Sequence, residues 1–367
     1  MYLFFYIYIF QFLGNVATFA QSNTVISQPK PENIFAFGTN MGNVLIHTNA
    51  VENIRGAKPF GISIEASKQQ IDQTSFNKSS AYARFGWQLI YYNFNTPILG
   101  NGTIINYFLQ PIYRLTNRVQ FGFRASIGAA YLNSPYNAET HPENQNYSSQ
   151  IVPYMHLGAA VGYRISNHLT VELNTNFHHL SNGNLTQPNK GLNYTTTGLS
   201  FVYNPANNFL PKYHAIKNRY WLYQKPWVDL GIFYVPPQAY YNKWQVKRHF
   251  VVGATAQISK QVGRTNALLI GGEAYFNSIS GDDGSKFLNN NSAILGGFFI
   301  GHEFLLNRII FSQNIGLYVT PHPSYNSNMY FRLGLRYKLD SHWQIGANLK
   351  AHSDEADFFD MRVLYRF

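Results

Sequence analysis

Short turns and long polar loops alternate along this chain, and that alternation limits what its strands can build. Gly, Asn and Pro divide the sequence into roughly sixteen runs with strand character. Among them are 59–68, 82–92, 103–115, 119–131, 150–165, 168–178, 194–204, 247–258, 265–277, 293–305 and 309–319. The joints at Thr116 to Arg118, Ser166 to Asn167, Leu306 to Arg308 and Asp340 to Ser341 are short, whereas those at 132–148, 182–192 and 278–292 are long and polar. Tight turns at one end and long loops at the other are the pattern of a transmembrane antiparallel β-barrel of the outer-membrane type. The expected fold class is therefore all-β.

Composition agrees with a lipid setting. Charged residues make up 12% of the chain and aromatics 17%, against roughly 25% charged in soluble domains. No stretch of about 20 apolar residues follows the N-terminal leader, so spanning helices are not expected, and a membrane chain without them must satisfy its backbone by closing a barrel. Residues 1–20, MYLFFYIYIFQFLGNVATFA, read as a signal peptide cleaved before Gln21, with a retained anchor as the alternative because the usual basic start is missing. At the other end Phe359, Met361, Val363, Tyr365 and Phe367 alternate with Asp360, Arg362, Leu364 and Arg366. That segment resembles the C-terminal strand of bacterial outer-membrane barrels. The chain has no Cys, which excludes disulfides and thiolate metal sites. Its net charge of +11 is spread without Lys/Arg blocks, so nucleic acid is not an expected partner, and a basic rim facing lipid phosphates fits better.

The second half echoes the first. Tyr163 to Ser181 aligns without gaps with Tyr337 to Glu355, and the segment from Asn106 resembles that from Gly296. The expectation is a duplicated unit of about eight strands, with 21–204 as the first repeat, 205–226 as a linker and 227–367 as the second. The repeats can form one barrel of about sixteen strands or two of eight; matching strand edges can merge, which favours one.

One strand carries a candidate site. From Leu169 the odd positions run Leu169, Val171, Leu173, Thr175, Phe177, His179, Ser181, and the even ones Thr170, Glu172, Asn174, Asn176, His178. Side chains alternate across a strand, so His179 and Ser181 share the apolar face, where packing alone does not ask for them. A serine hydroxyl needs a base within about 3 Å, and residues two apart on one face can supply that contact. Asn182, Asn184, Asn189 and the backbone around Gly183 can provide donors for a tetrahedral intermediate. His178 points to the other face, which argues against a metal shared with His179, and His302-Glu303 lacks the second histidine of a zincin motif. In the second repeat Ser353 and Glu355 stand where His179 and Ser181 stand, while His352 belongs to the face of Gln344, Asn348 and Lys350. The pair is lost there.

The segment HLSNGNLTQPNKGLN, His179 to Asn193, with its H-x-S-N and P-N-x-G elements, resembles the signature of the outer-membrane lipid A 3-O-deacylase family and of the similar acyloxyacyl hydrolases of Bacteroidetes. The resemblance implies an eight-stranded barrel that removes an ester-linked acyl chain from lipid A without a cofactor or metal. It further implies His179 as general base, Ser181 as nucleophile and Asn189 as an oxyanion donor, with lipopolysaccharide as substrate and the 182–192 loop on the extracellular side. The family carries Glu at the third position, twelve residues after the serine; this chain has Asn193. Asn can orient an imidazole but supplies no negative charge. Glu172 lies on the opposite face and is an unlikely stand-in, whereas Glu139 in the neighbouring long loop remains open. The alternative expectation is a non-catalytic barrel, structural or pore-forming, that keeps the signature as a remnant.

Overall fold

The computed structural model describes residues 29–367 apart from 183–185, 207–209, 215–218, 243–244, 278–293, 307, 320–327 and 353–354, and leaves out the side chains of 236–249 and 352–357. The leader, Gly183, Asn184 and Ser353 therefore lie outside the described residues, as does the His352 side chain. Sixteen strands are described: β1 (Glu32–Leu45), β2 (Phe60–Gln69), β3 (Tyr82–Asn93), β4 (Asn101–Arg114), β5 (Val119–Leu132), β6 (Ile151–Arg164), β7 (Leu169–Leu180), β8 (Leu192–Tyr203), β9 (Trp227–Asn242), β10 (Gln245–Gln261), β11 (Asn266–Asn277), β12 (Ile294–Leu306), β13 (Ile309–Tyr318), β14 (Met329–Lys338), β15 (Trp343–His352) and β16 (Glu355–Arg366).

They form two closed antiparallel barrels, not one. β1 to β8 close through β1 on β8, and β9 to β16 through β9 on β16. The expected merger of matching edges fails because β1 and β8 already saturate one another. Their register runs from Phe35↔Tyr203 to Leu45↔Asn193, leaving no free edge on either strand for the second repeat. Gly42 makes the close approach at this seam possible, since a Cβ there would fall 1.7 Å from the Thr195 carbonyl oxygen. The sequence repeat maps onto topological equivalents, with β4 matching β12 and β7 matching β15.

Both walls are turned inside out relative to a soluble barrel. Outward positions such as Phe35, Phe37, Ile62, Ile64, Leu173 and Phe201 are exposed and apolar, whereas the buried inward set is rich in charge. In the first barrel Arg84 bonds Glu172 at 2.7 Å and lies 3.6 Å from Glu65, which also takes Arg124 at 2.8 Å. In the second, Arg332 joins Glu273 at 2.7 Å and Asp360 at 2.6 Å, and Lys350 reaches Glu273 at 3.0 Å. These cations are paired inside rather than set on a basic rim, because a buried charge without a partner would be strongly destabilising.

The first barrel is also sealed at both ends. The connections β1–β2, β3–β4, β5–β6 and β7–β8 all leave at one end, where Val51, Ile54, Leu99, Tyr147, Leu180 and Leu192 pack into one buried cluster. At the opposite end Phe76, on a short helix capped by the Asp72 carboxylate, packs with Tyr82 and Ile112. Leu210 and Tyr213 of the inter-barrel segment complete that plug.

Candidate active site

β7 and β8 deliver the site at the loop-bearing end. Along β7 the burial alternates as the parity predicts: Glu172 and His178 point inward and are buried, while Leu173 and Phe177 are exposed on the outside. His179 is therefore outward, and register places it directly opposite Asn193 on β8, which in turn faces Leu45 on β1. His179 Nδ1 and Asn193 Oδ1 are 2.6 Å apart. The amide oxygen can only accept, so Nδ1 carries the proton and Nε2 holds the lone pair in the neutral ring. That is the tautomer a base needs if Nε2 is to take a hydroxyl proton.

Ser181 lies just past the end of β7, two residues beyond His179 and on the same side, with its N–H bonded to the Pro153 carbonyl at 3.3 Å. Asn189 Nδ2 donates to Ser181 Oγ at 2.9 Å, and Asn189 Oδ1 accepts the Asn182 N–H at 3.1 Å. The Asn182 side chain is turned away into the loop, where its Nδ2 donates to Thr186 O at 2.9 Å and Thr186 Oγ1 at 2.7 Å. Of the expected donors, Asn189 meets the serine; Asn182 contributes to loop structure.

The P-N-x-G element acquires a physical reason. Gly191 adopts φ +76°, a left-handed conformation that costs a residue with a Cβ about 1–2 kcal/mol. A Cβ there would sit 3.4 Å from His179 Cε1 and 3.7 Å from Ser181 Cβ. Gly191 thus leaves open the space in front of the pair. The β5–β6 connection braces this loop from behind, with Gln145 O accepting the Lys190 N–H at 3.0 Å and Asn146 O the Gly191 N–H at 2.9 Å. From the β1–β2 connection, His47 Nε2 donates to Lys190 O at 2.8 Å. His47, Gln145 and Asn146 were not marked by sequence reasoning. Their contacts join loops far apart in the chain, and only the parity of Asn43, Leu45 and His47 hints at one of them.

The stand-in carboxylates are placed elsewhere. Glu172 is inside, bonded to Arg84 and Gln120. Glu139 is exposed on a turn, its N–H bonded to Asn137. His178 is stacked on Tyr194 with ring centroids 4.4 Å apart and bonded to Tyr154 at 2.7 Å and Thr196 at 2.9 Å, on the other side of the wall from His179.

The fold defines the class: closed eight-stranded antiparallel β-barrels with apolar outer walls. Residues 68–204 match the family model described as lipid A 3-O-deacylase (PagL), and residues 228–367 match acyloxyacyl hydrolase, C-terminal domain. The chain belongs to the lipid A 3-O-deacylase family: the deacylase model takes in β3 to β8 of the first barrel, and the acyloxyacyl hydrolase C-terminal model covers the second barrel. Among solved structures, it is similar to the crystal structure of the outer membrane enzyme PagL, at 15% identity over 45% of this chain and 97% of that one, TM-score 0.34. It is also similar to Neisserial surface protein A, at 12% identity over 47% of this chain and 95% of that one, TM-score 0.32. No curated protein sequence matches.

Proposed function

We propose that the chain is an outer-membrane esterase that removes an ester-linked acyl chain from lipid A, with Ser181 as nucleophile, His179 as base and Asn193 as the group that orients it. The observation that carries this reading is the 2.6 Å contact between His179 Nδ1 and Asn193 on the outer wall beside a serine held by Asn189. In the reaction Nε2 takes the Ser181 proton as Oγ attacks the ester carbonyl. The tetrahedral intermediate then collapses, the imidazolium returns the proton to the departing sugar oxygen, and water releases the fatty acid by the reverse roles. Asn189 Nδ2, which already reaches Oγ, is the side-chain donor best placed for the developing oxyanion, with the backbone near Gly183 as the other candidate.

The membrane placement rests on the apolar outer walls and polar interiors, which suit a lipid surround. Export by residues 1–20 puts the loop-bearing end outside the cell, where the acyl ester meets the pair without leaving the bilayer. The division into a leader, an active-site repeat (21–204), a linker (205–226) and a second, inactive repeat (227–367) belongs to the same proposal. The competing pore reading is disfavoured by the filled lumens and by the plugs at both ends of the first barrel. Lipid A extracted from cells with and without the gene tests the activity. The expected result is a mass difference of one acyl chain, and an unchanged acyl pattern would favour a non-catalytic barrel.

A further inference from the structure

We infer that His47 is a positioning residue of this site: its imidazole holds the Lys190 carbonyl and thereby fixes the Asn189-Lys190-Gly191 backbone against His179 and Ser181. The inference rests on the catalytic reading above and adds a residue to it. His47 comes from the β1–β2 connection, 143 residues away in sequence, and donates from Nε2 to Lys190 O at 2.8 Å. The same peptide segment is held on its other edge by Gln145 O and Asn146 O. Of these three bonds, His47 provides the one made by a side chain.

The position of that bond gives it leverage. The residue before Lys190 donates to Ser181 Oγ, and the residue after it adopts the left-handed conformation that clears the space before His179. Register adds a second argument. Leu45, Asn193 and His179 form one row across β1, β8 and β7. Just past that row, at the loop-bearing end, come His47 after β1, Gly191 before β8 and Ser181 after β7, so the three strands deliver His47, the bare Cα of Gly191 and the serine to the same end of the wall. A shift of Lys190 toward the space that Gly191 leaves open would move Asn189 off the serine. His47 closes the side from which such a shift would come, and β5–β6 closes the other.

The test uses the full chain in detergent micelles, with p-nitrophenyl octanoate as probe and heat-modifiable gel mobility as the check on assembly. His47→Ala should lower kcat about tenfold, the rate equivalent of one lost hydrogen bond, with KM little changed. His47→Gln, whose amide can donate to the same carbonyl, should recover most of the loss. Trypsin, which cuts after Lys190, should cleave there faster in His47→Ala than in the parent or His47→Gln. Provided that Ser181→Ala is inactive, an unchanged kcat in His47→Ala overturns the inference whatever trypsin does, and so does a glutamine variant no better than alanine. If the alanine variant fails to assemble, His47→Phe keeps the ring volume without the N–H and takes its place. Ser181→Ala runs alongside. If it hydrolyses the probe like the parent, the catalytic reading falls, and the cleavage at Lys190 then decides by itself whether the clamp exists.

Discussion

Replacing Asn193 with Asp tests the least familiar part of the site, because it changes charge while keeping side-chain length. The 2.6 Å contact to His179 Nδ1 would be retained, and an imidazolium formed during attack would then face a carboxylate. With charge centres about 4 Å apart and an effective dielectric constant near 20, the attraction is about 4 kcal/mol, roughly a thousandfold in rate. Removing the carboxylate from a serine-protease triad costs about 10,000-fold, which bounds the gain from above. Working against it, a carboxylate at a half-buried, outward position loses hydration, at a cost of several kcal/mol when burial is complete. The net expectation is a rise in kcat of about 10-fold to 100-fold at neutral pH. Asn193→Glu should help less, because its extra methylene carries the carboxylate past the position from which Asn193 Oδ1 meets Nδ1 at 2.6 Å. The assay is fatty-acid release from purified lipopolysaccharide by the folded variant. Equal or lower turnover in Asn193→Asp would refute the reasoning that the missing negative charge limits the rate.

Ser181→Ala and His179→Ala should each abolish most hydrolysis without blocking assembly, and their effects should fail to add in the double variant, as for residues acting as one unit. Parent-level activity in assembled Ser181→Ala would end the serine mechanism. Gly191→Ala should reduce kcat and lower stability by about 1–2 kcal/mol from its left-handed backbone, checked by rate and urea midpoint; a neutral result would mean the loop relaxes freely. In the second barrel, Glu273→Gln leaves Arg332 and Lys350 short of a carboxylate, so stability should fall by about 3–5 kcal/mol while hydrolysis by the remaining folded protein is unchanged. Loss of turnover per folded molecule would instead tie the second barrel to the reaction. Finally, the mature chain should begin near Gln21 and fractionate with the outer membrane, and recovery as a soluble periplasmic protein would sink the membrane placement.

The alternation of side chains along a strand is local, so the sequence alone decided which residues face which way. It set Glu172 and His178 against Phe177 and His179, and the inside-out walls follow from that parity. It also decided the strand count, the short and long connections, and the equivalence of β7 with β15, because turn residues and repeats are written in order along the chain. What closes on what is not local. One barrel or two depended on whether β1 met β8 or an edge of the other repeat, and that was settled by a register of cross-strand pairs and the bare Cα of Gly42. The site divides along the same line. Parity placed His179 and Ser181 on one face, but only the folded barrel brought Asn193 opposite the imidazole, turned Asn182 away from the serine and Asn189 toward it, and set His47 against Lys190. Those contacts join residues that only closure of the wall and packing of its loops make neighbours.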